Sequence, residues 1–137
     1  MIVSINGVLT TAEDARIDPR DRGFTLGDGV FETIAVRRGA APRLIAHLAR
    51  LRHGLEVIGL PLVHDDQVLV DWMNDVLSAA GTTDAVLRVT VSRGRSERGI
   101  ATPATTTPTV VISANLLPPE PTPARVIVAT SDRKSVV

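Results

Sequence analysis

"RDRGFTLGDGVFETI", residues 20–34, sets four charges and three glycines ahead of an apolar, strand-like run. Glycines 23, 27 and 29 invite comparison with a dinucleotide fingerprint. That motif needs a strand before the glycines and a helix after them. Here a loop comes first and a strand follows, so the fingerprint is excluded. What remains is a turn-rich loop whose glycines are free to take positive φ. Alternation along the strand puts Val30, Glu32, Ile34 and Val36 on one face and Phe31, Thr33 and Ala35 on the other. The first face is apolar except for Glu32. The second is small and mildly polar, as the floor of a cleft would be. A bare carboxylate among aliphatic neighbours is costly, so Glu32 must reach solvent at the strand end or find a partner.

Working outward, Ile2 to Ile5, the Asn6-Gly7 pair and Val8 to Thr10 read as a hairpin with a two-residue primed turn. Residues 11–29 read as a loop rich in Asp, Arg, Pro and Gly. Val30 to Arg37 is a strand, Arg38-Gly39 a turn, and Pro42 to Ile45 a short strand. From Ala46 the period becomes helical, with Leu48, Leu51, Leu55 and Ile58 recurring until Gly59 stops the run. A second helix starts near Asp65 and ends before Gly81; its stripe is Val68, Leu69, Trp72, Met73, Val76 and Leu77. Ala85 to Ser92 alternates as a strand, residues 93–108 form a loop, and Thr109 to Leu116 is another strand. The expected fold is α+β: a mostly antiparallel sheet packed on two helices. Residues 1–117 make this small domain. PPEPTP, residues 118–123, reads as a stiff linker, and Arg125 to Thr130 as the first strand of a further domain.

Composition limits function. The chain has 137 residues, 44% of them hydrophobic, which suits one small globular domain. Fifteen basic residues balance fifteen acidic ones, giving a pI near 6.8. Nucleic acid and anionic membranes are therefore not expected partners. There is no cysteine, which excludes disulfides, thiolate nucleophiles and cysteine-based metal sites. His47, His53 and His64 have no ligand set at metal spacing. Asp71 and Asp75 belong to the polar side of the second helix. The N-terminus has no signal-peptide pattern, so a cytoplasmic location is the default expectation. Fourteen of the fifteen basic residues are arginine; Lys134 is the only lysine.

"DRGFTLGDGVFETI", "HLARL" at 47–51 and "SRGRSERG" at 92–99 together resemble the N-terminal domain of the class IV, fold-type IV pyridoxal-phosphate enzymes. These include D-amino-acid and branched-chain aminotransferases and 4-amino-4-deoxychorismate lyase. The resemblance implies a cofactor, pyridoxal 5'-phosphate, held in a cleft between a small and a large domain, and a homodimeric enzyme acting on amino acids and 2-oxo acids. It also implies site residues. Arg50 matches the arginine that binds the cofactor phosphate, and a guanidinium offers phosphate a planar fork of donors. Phe31 matches a ring position that is tyrosine in D-amino-acid aminotransferases, so the phenol oxygen is missing here. Arg98 matches an arginine of the substrate carboxylate trap, but Ile100 stands where that enzyme has histidine. Plainer alternatives are a solvated Arg50, a core Phe31 and a solvated basic loop for Arg93, Arg95 and Arg98.

The Schiff-base lysine of the family follows the strand that corresponds to Arg125 to Thr130. Lys134 falls in a variable basic turn and is not that lysine, so no catalytic residue is assigned in this chain. Three functions are expected. The first is the N-terminal part of a class IV aminotransferase. The second is the same part of a lyase that eliminates pyruvate from aminodeoxychorismate. The third is a catalytically silent dimerisation module.

Overall fold

The computed structural model describes residues 1–119. The linker from residue 120 on, the strand Arg125 to Thr130 and Lys134 lie outside the described residues. Five strands and three helices run in the order β1 (Ile2–Ile5), β2 (Val8–Thr11), α1 (Arg22–Leu26), β3 (Gly29–Val36), α2 (Leu44–Val57), α3 (Asp66–Ala80), β4 (Ala85–Ser92) and β5 (Thr109–Leu116). The strands form one sheet in the order β2-β1-β5-β4-β3, with every neighbouring pair antiparallel. This is the expected α+β architecture.

The β1–β2 hairpin turns on Asn6 and Gly7, both at positive φ, as a primed turn requires. Asn6 also fastens the turn to the sheet. Its backbone N–H donates to the Val110 carbonyl, and its Oδ1 accepts from Val110 N–H. Helices α2 and α3 cover one face of the sheet. The core between them gathers Ile34 and Val36 of β3, Leu48, Leu51 and Leu55 of α2, and Leu69, Met73 and Val76 of α3. Leu87, Val89 and Val91 of β4 and Val110 and Ile112 of β5 complete it. Most positions of the helical stripes read from the sequence are thus buried, while Ile58, Trp72 and Leu77 pack half-buried against this core and Val68 is half-buried outside it. α3 starts where expected: Asp65 is its N-cap and accepts from Val68 N–H at 2.9 Å.

Two elements differ from expectation. Pro42 to Ile45 is not a strand. Pro42 and Arg43 form a turn, and Leu44 and Ile45 open the first turn of α2. The fixed φ of proline suits a helix entry as well as an extended segment, and the apolar period alone does not separate the two. The segment 11–29 is not all loop. It contains α1, with Asp21 as N-cap accepting from Gly23 N–H and Gly27 closing the helix at φ 66° in the left-handed region. Gly29 then passes so close to β4 that a Cβ there would lie 2.5 Å from the Val91 carbonyl oxygen. Here a glycine is needed for close approach, not for its φ.

Candidate functional site

β3 is the hinge of the site, because its two faces carry different chemistry. Glu32 points to the helix side and is 5% exposed, Phe31 to the open side and is 55% exposed. The partner that Glu32 required is supplied by α2. Arg50 Nε donates to Glu32 Oε1 at 2.5 Å, and Arg50 Nη2 donates to Oε2 at 2.6 Å. His47 Nδ1 lies 2.8 Å from Glu32 Oε2. The Arg50 fork, aided by His47, lowers the Glu32 carboxyl to a pKa of about 2 against the opposing effect of burial. In return the carboxylate raises Arg50 above its ordinary value. Arg50 remains 69% exposed along its side chain. Among the described residues its Nη1 donates to no protein acceptor. A cation locked at one edge by a buried carboxylate, with a free donor turned outward, suits an anionic oxygen, and a phosphate fits this donor set.

On the opposite face, an open cavity of about 400 Å³ lies over the sheet, lined among others by Phe24, Phe31, Arg88, Thr90 and Val111. The Arg88 guanidinium sits 3.7 Å from the centre of the Phe31 ring. Phe31 is therefore not a core phenylalanine. Asp21 also borders this cavity, but its carboxylate is already committed. It accepts from Gly23 N–H, from Ser92 Oγ at 2.9 Å and from Thr109 Oγ1 at 2.7 Å.

A second cavity, also about 400 Å³, lies between α1 and the loop 96–100 and is lined by Arg98, Ile100 and Arg22 among others. Arg98 is exposed, as is Arg95. Arg93 is not. It is 3% exposed, which corrects the reading of all three as one solvated basic loop. Its Nε donates to Asp28 Oδ2 at 2.8 Å, and its Nη1 and Nη2 donate to the carbonyls of Gly59 and Ile58 at the end of α2. Those are free helix C-terminal carbonyls, where a cation is favoured. Asp28 Oδ2 also accepts from Arg22 Nε at 2.7 Å. Arg22 in turn donates to the carbonyls of Gly99, Ile100 and Ala101. The two guanidiniums, Arg93 first, hold the Asp28 carboxyl below its usual range.

The three residues singled out in the sequence are thus not gathered in one cavity. Phe31 lines the first, Arg98 the second, and Arg50 lies across β3 from Phe31. Sequence reasoning missed Arg88, Asp28 and the burial of Arg22 and Arg93. Arg88 did carry a signal: it is the only charged residue on the outward face of an otherwise alternating strand.

Residues 29–136 match the family model of class IV aminotransferases. The chain belongs to that family, whose members work with pyridoxal 5'-phosphate. The chain is 29% identical over 124 residues to aminodeoxychorismate lyase of Bacillus subtilis strain 168, covering 89% of this chain and 42% of that one. It is 32% identical over 98 residues to D-alanine aminotransferase of Bacillus licheniformis, covering 72% of this chain and 35% of the other. Among solved structures it superimposes on 4-amino-4-deoxychorismate lyase of Pseudomonas aeruginosa with a TM-score of 0.72 and 37% identity, over 87% of this chain and 41% of that one. The chain therefore spans less than half the length of the relatives it matches. No helix among the described residues is long and apolar enough to cross a membrane.

Proposed function

We propose that this chain is the small domain of a pyridoxal-phosphate enzyme that transfers amino groups between amino acids and 2-oxo acids. Arg50 is its anchor for the cofactor phosphate, and Phe31 and Arg98 belong to its substrate side. The observation that carries the reading is the Glu32–Arg50 pair. The buried carboxylate fixes the plane of the guanidinium, so the outward donor meets a phosphate without first losing rotational freedom. His47 steadies the same carboxylate from the neighbouring turn of α2. When bound, pyridoxal phosphate supplies the electron sink for chemistry at the substrate α-carbon. The domain's own residues hold its phosphate end and wall the substrate side. The assembly proposed is a homodimer, in keeping with the uncovered sheet face and the exposed Phe24 and Phe31.

In the enzyme that carries this domain, Arg50→Ala is expected to weaken pyridoxal-phosphate retention roughly 10–100-fold, since a charge-assisted phosphate contact contributes about 1.5–3 kcal/mol. Cofactor absorbance after dialysis reads this directly, and unchanged retention would remove Arg50 from the site. A second reaction, pyruvate elimination from aminodeoxychorismate, is favoured by the 37% identity with the Pseudomonas lyase. It is also favoured by Phe31 and Ile100, which replace two polar groups of the D-amino-acid carboxylate trap. Assaying D-alanine or branched-chain amino acids with 2-oxoglutarate, against pyruvate release from aminodeoxychorismate, separates the two. A complete dimer that holds no cofactor would leave only the dimerisation module.

A further inference from the structure

We propose that Arg88 is the residue by which this domain grips the carboxylate of an α-amino or 2-oxo acid, an inference that rests on the pyridoxal-phosphate reading above. Arg88 shares the cavity over the open sheet face with Phe31, whereas Arg98 lines the separate cavity beside α1. The register explains the placement. Phe31 stands opposite Thr90, and Arg88 is two residues along the same strand, so its side chain emerges on the same face diagonally from the ring. The guanidinium lies 3.7 Å from the ring centre. Such a contact engages the π-face of the cation and leaves the N–H donors around its edge free for a bidentate acceptor.

No carboxylate within the described residues takes those donors. Every ion pair among them involves other cations. The acid that borders the cavity, Asp21, accepts from Gly23, Ser92 and Thr109 and makes no ion pair with Arg88. Arg88 is thus the one cation lining a cavity whose walls are mainly apolar, Ile17, Phe24, Phe31 and Val111 among them, with Thr90 and Thr109 as polar neighbours. Apolar walls lower the local dielectric and strengthen a charge pair formed there. A carboxylate arriving over the Phe31 ring would find a planar fork oriented by the ring, with the Thr90 hydroxyl beside it. In this domain the ring that lacks a phenol oxygen acts as the platform for the cation.

The test is a titration of the complete enzyme loaded with pyridoxal phosphate, read by the change in cofactor absorbance, with racemic alanine and racemic alaninamide. Both carry the amine; only the first carries a carboxylate. Arg88→Ala is expected to weaken alanine binding roughly 10–100-fold and to change alaninamide binding by less than about threefold. Arg88→Lys should fall between wild type and Arg88→Ala, because a lysine keeps the charge but loses the fork. Arg88 is exposed, so neither change threatens the core. Equal loss for both ligands, no loss for alanine, or loss confined to Arg98→Ala would overturn the assignment. So would a wild type that holds the cofactor yet responds to neither ligand. A wild type with no cofactor band would instead bring down the cofactor reading, and this inference with it.

Discussion

Ser4 is an instructive residue because it sits in the core without a hydrogen-bond partner. It faces Ile112 across the β1–β5 pair, is 1% exposed, and its hydroxyl has no acceptor or donor among the described residues. An unpaired buried hydroxyl costs free energy that an isosteric methyl does not. Ser4→Ala is therefore expected to stabilise the domain by about 0.5–1 kcal/mol in urea unfolding; destabilisation would mean the hydroxyl has a partner. Glu32 is the opposite case, a buried polar group whose partners are complete. Its folded pKa of about 2 lies below its ordinary 4.5. A depressed carboxylate contributes stability that is fully present above the unfolded value and is lost as pH falls through the folded one. Wild-type stability should hold down to about pH 4.5 and then drop toward pH 2, by about 1–3 kcal/mol once screening through the exposed Arg50 is allowed for. Glu32→Gln should remove that drop. An acid limb equally steep in the variant would assign the effect to other carboxylates.

At the scale of elements, what was legible in the sequence is what repeats. The stripe Leu48, Leu51, Leu55 and the alternation Leu87, Val89, Val91 each report a face several times over, and both proved to be core. The Asp65 cap was legible too, since an acceptor before an apolar period has a local mechanism. Asp65→Ala should cost about 0.5–2 kcal/mol, measurable by urea unfolding, with the sheet unchanged. α1 escaped because five residues are too few to show a period; only Asp21 before it and Gly27 after it mark its ends. The entry to α2 escaped because proline suits both outcomes. In the site, Glu32 was legible as a residue in need of a partner. Which partner it found, and that Phe31, Arg50 and Arg98 occupy three different places, depended on how α2 and the loop 96–100 settle against β3 and α1. No local pattern encodes that. Arg52, which donates to Asp66 at 2.8 Å and to the His64 carbonyl, shows how such settling is fixed between α2 and α3 by contacts remote in sequence.

Across the whole molecule the same kind of remote contact converges on a single oxygen. Asp28 Oδ2 accepts from Arg22 and Arg93, and through them joins the glycine loop, the end of α2, the exit of β4 and the carbonyls of residues 99–101. Arg22 and Arg93 are 4% and 3% exposed. Arg93, read as part of a solvated basic loop, and Arg22, given no role in the sequence, thus become internal fasteners once one carboxylate compensates both. Removing one partner of a buried ionic cluster is more damaging than the net value of the pair, because an uncompensated charge stays behind. Asp28→Asn keeps the shape and removes the charge, leaving two buried guanidiniums without a counterion. The expected loss is about 3–5 kcal/mol, a large share of the roughly 5–15 kcal/mol that holds an ordinary domain together. The comparison variant is Arg95→Ala, an exposed cation two residues beyond Arg93, expected within about 0.5 kcal/mol of wild type. Urea unfolding followed by both far-UV circular dichroism and Trp72 fluorescence should show the Asp28 variant losing stability in one transition by both probes, since the cluster spans the domain. Equal stability of the two variants would show that Asp28 is not the fastener the geometry describes.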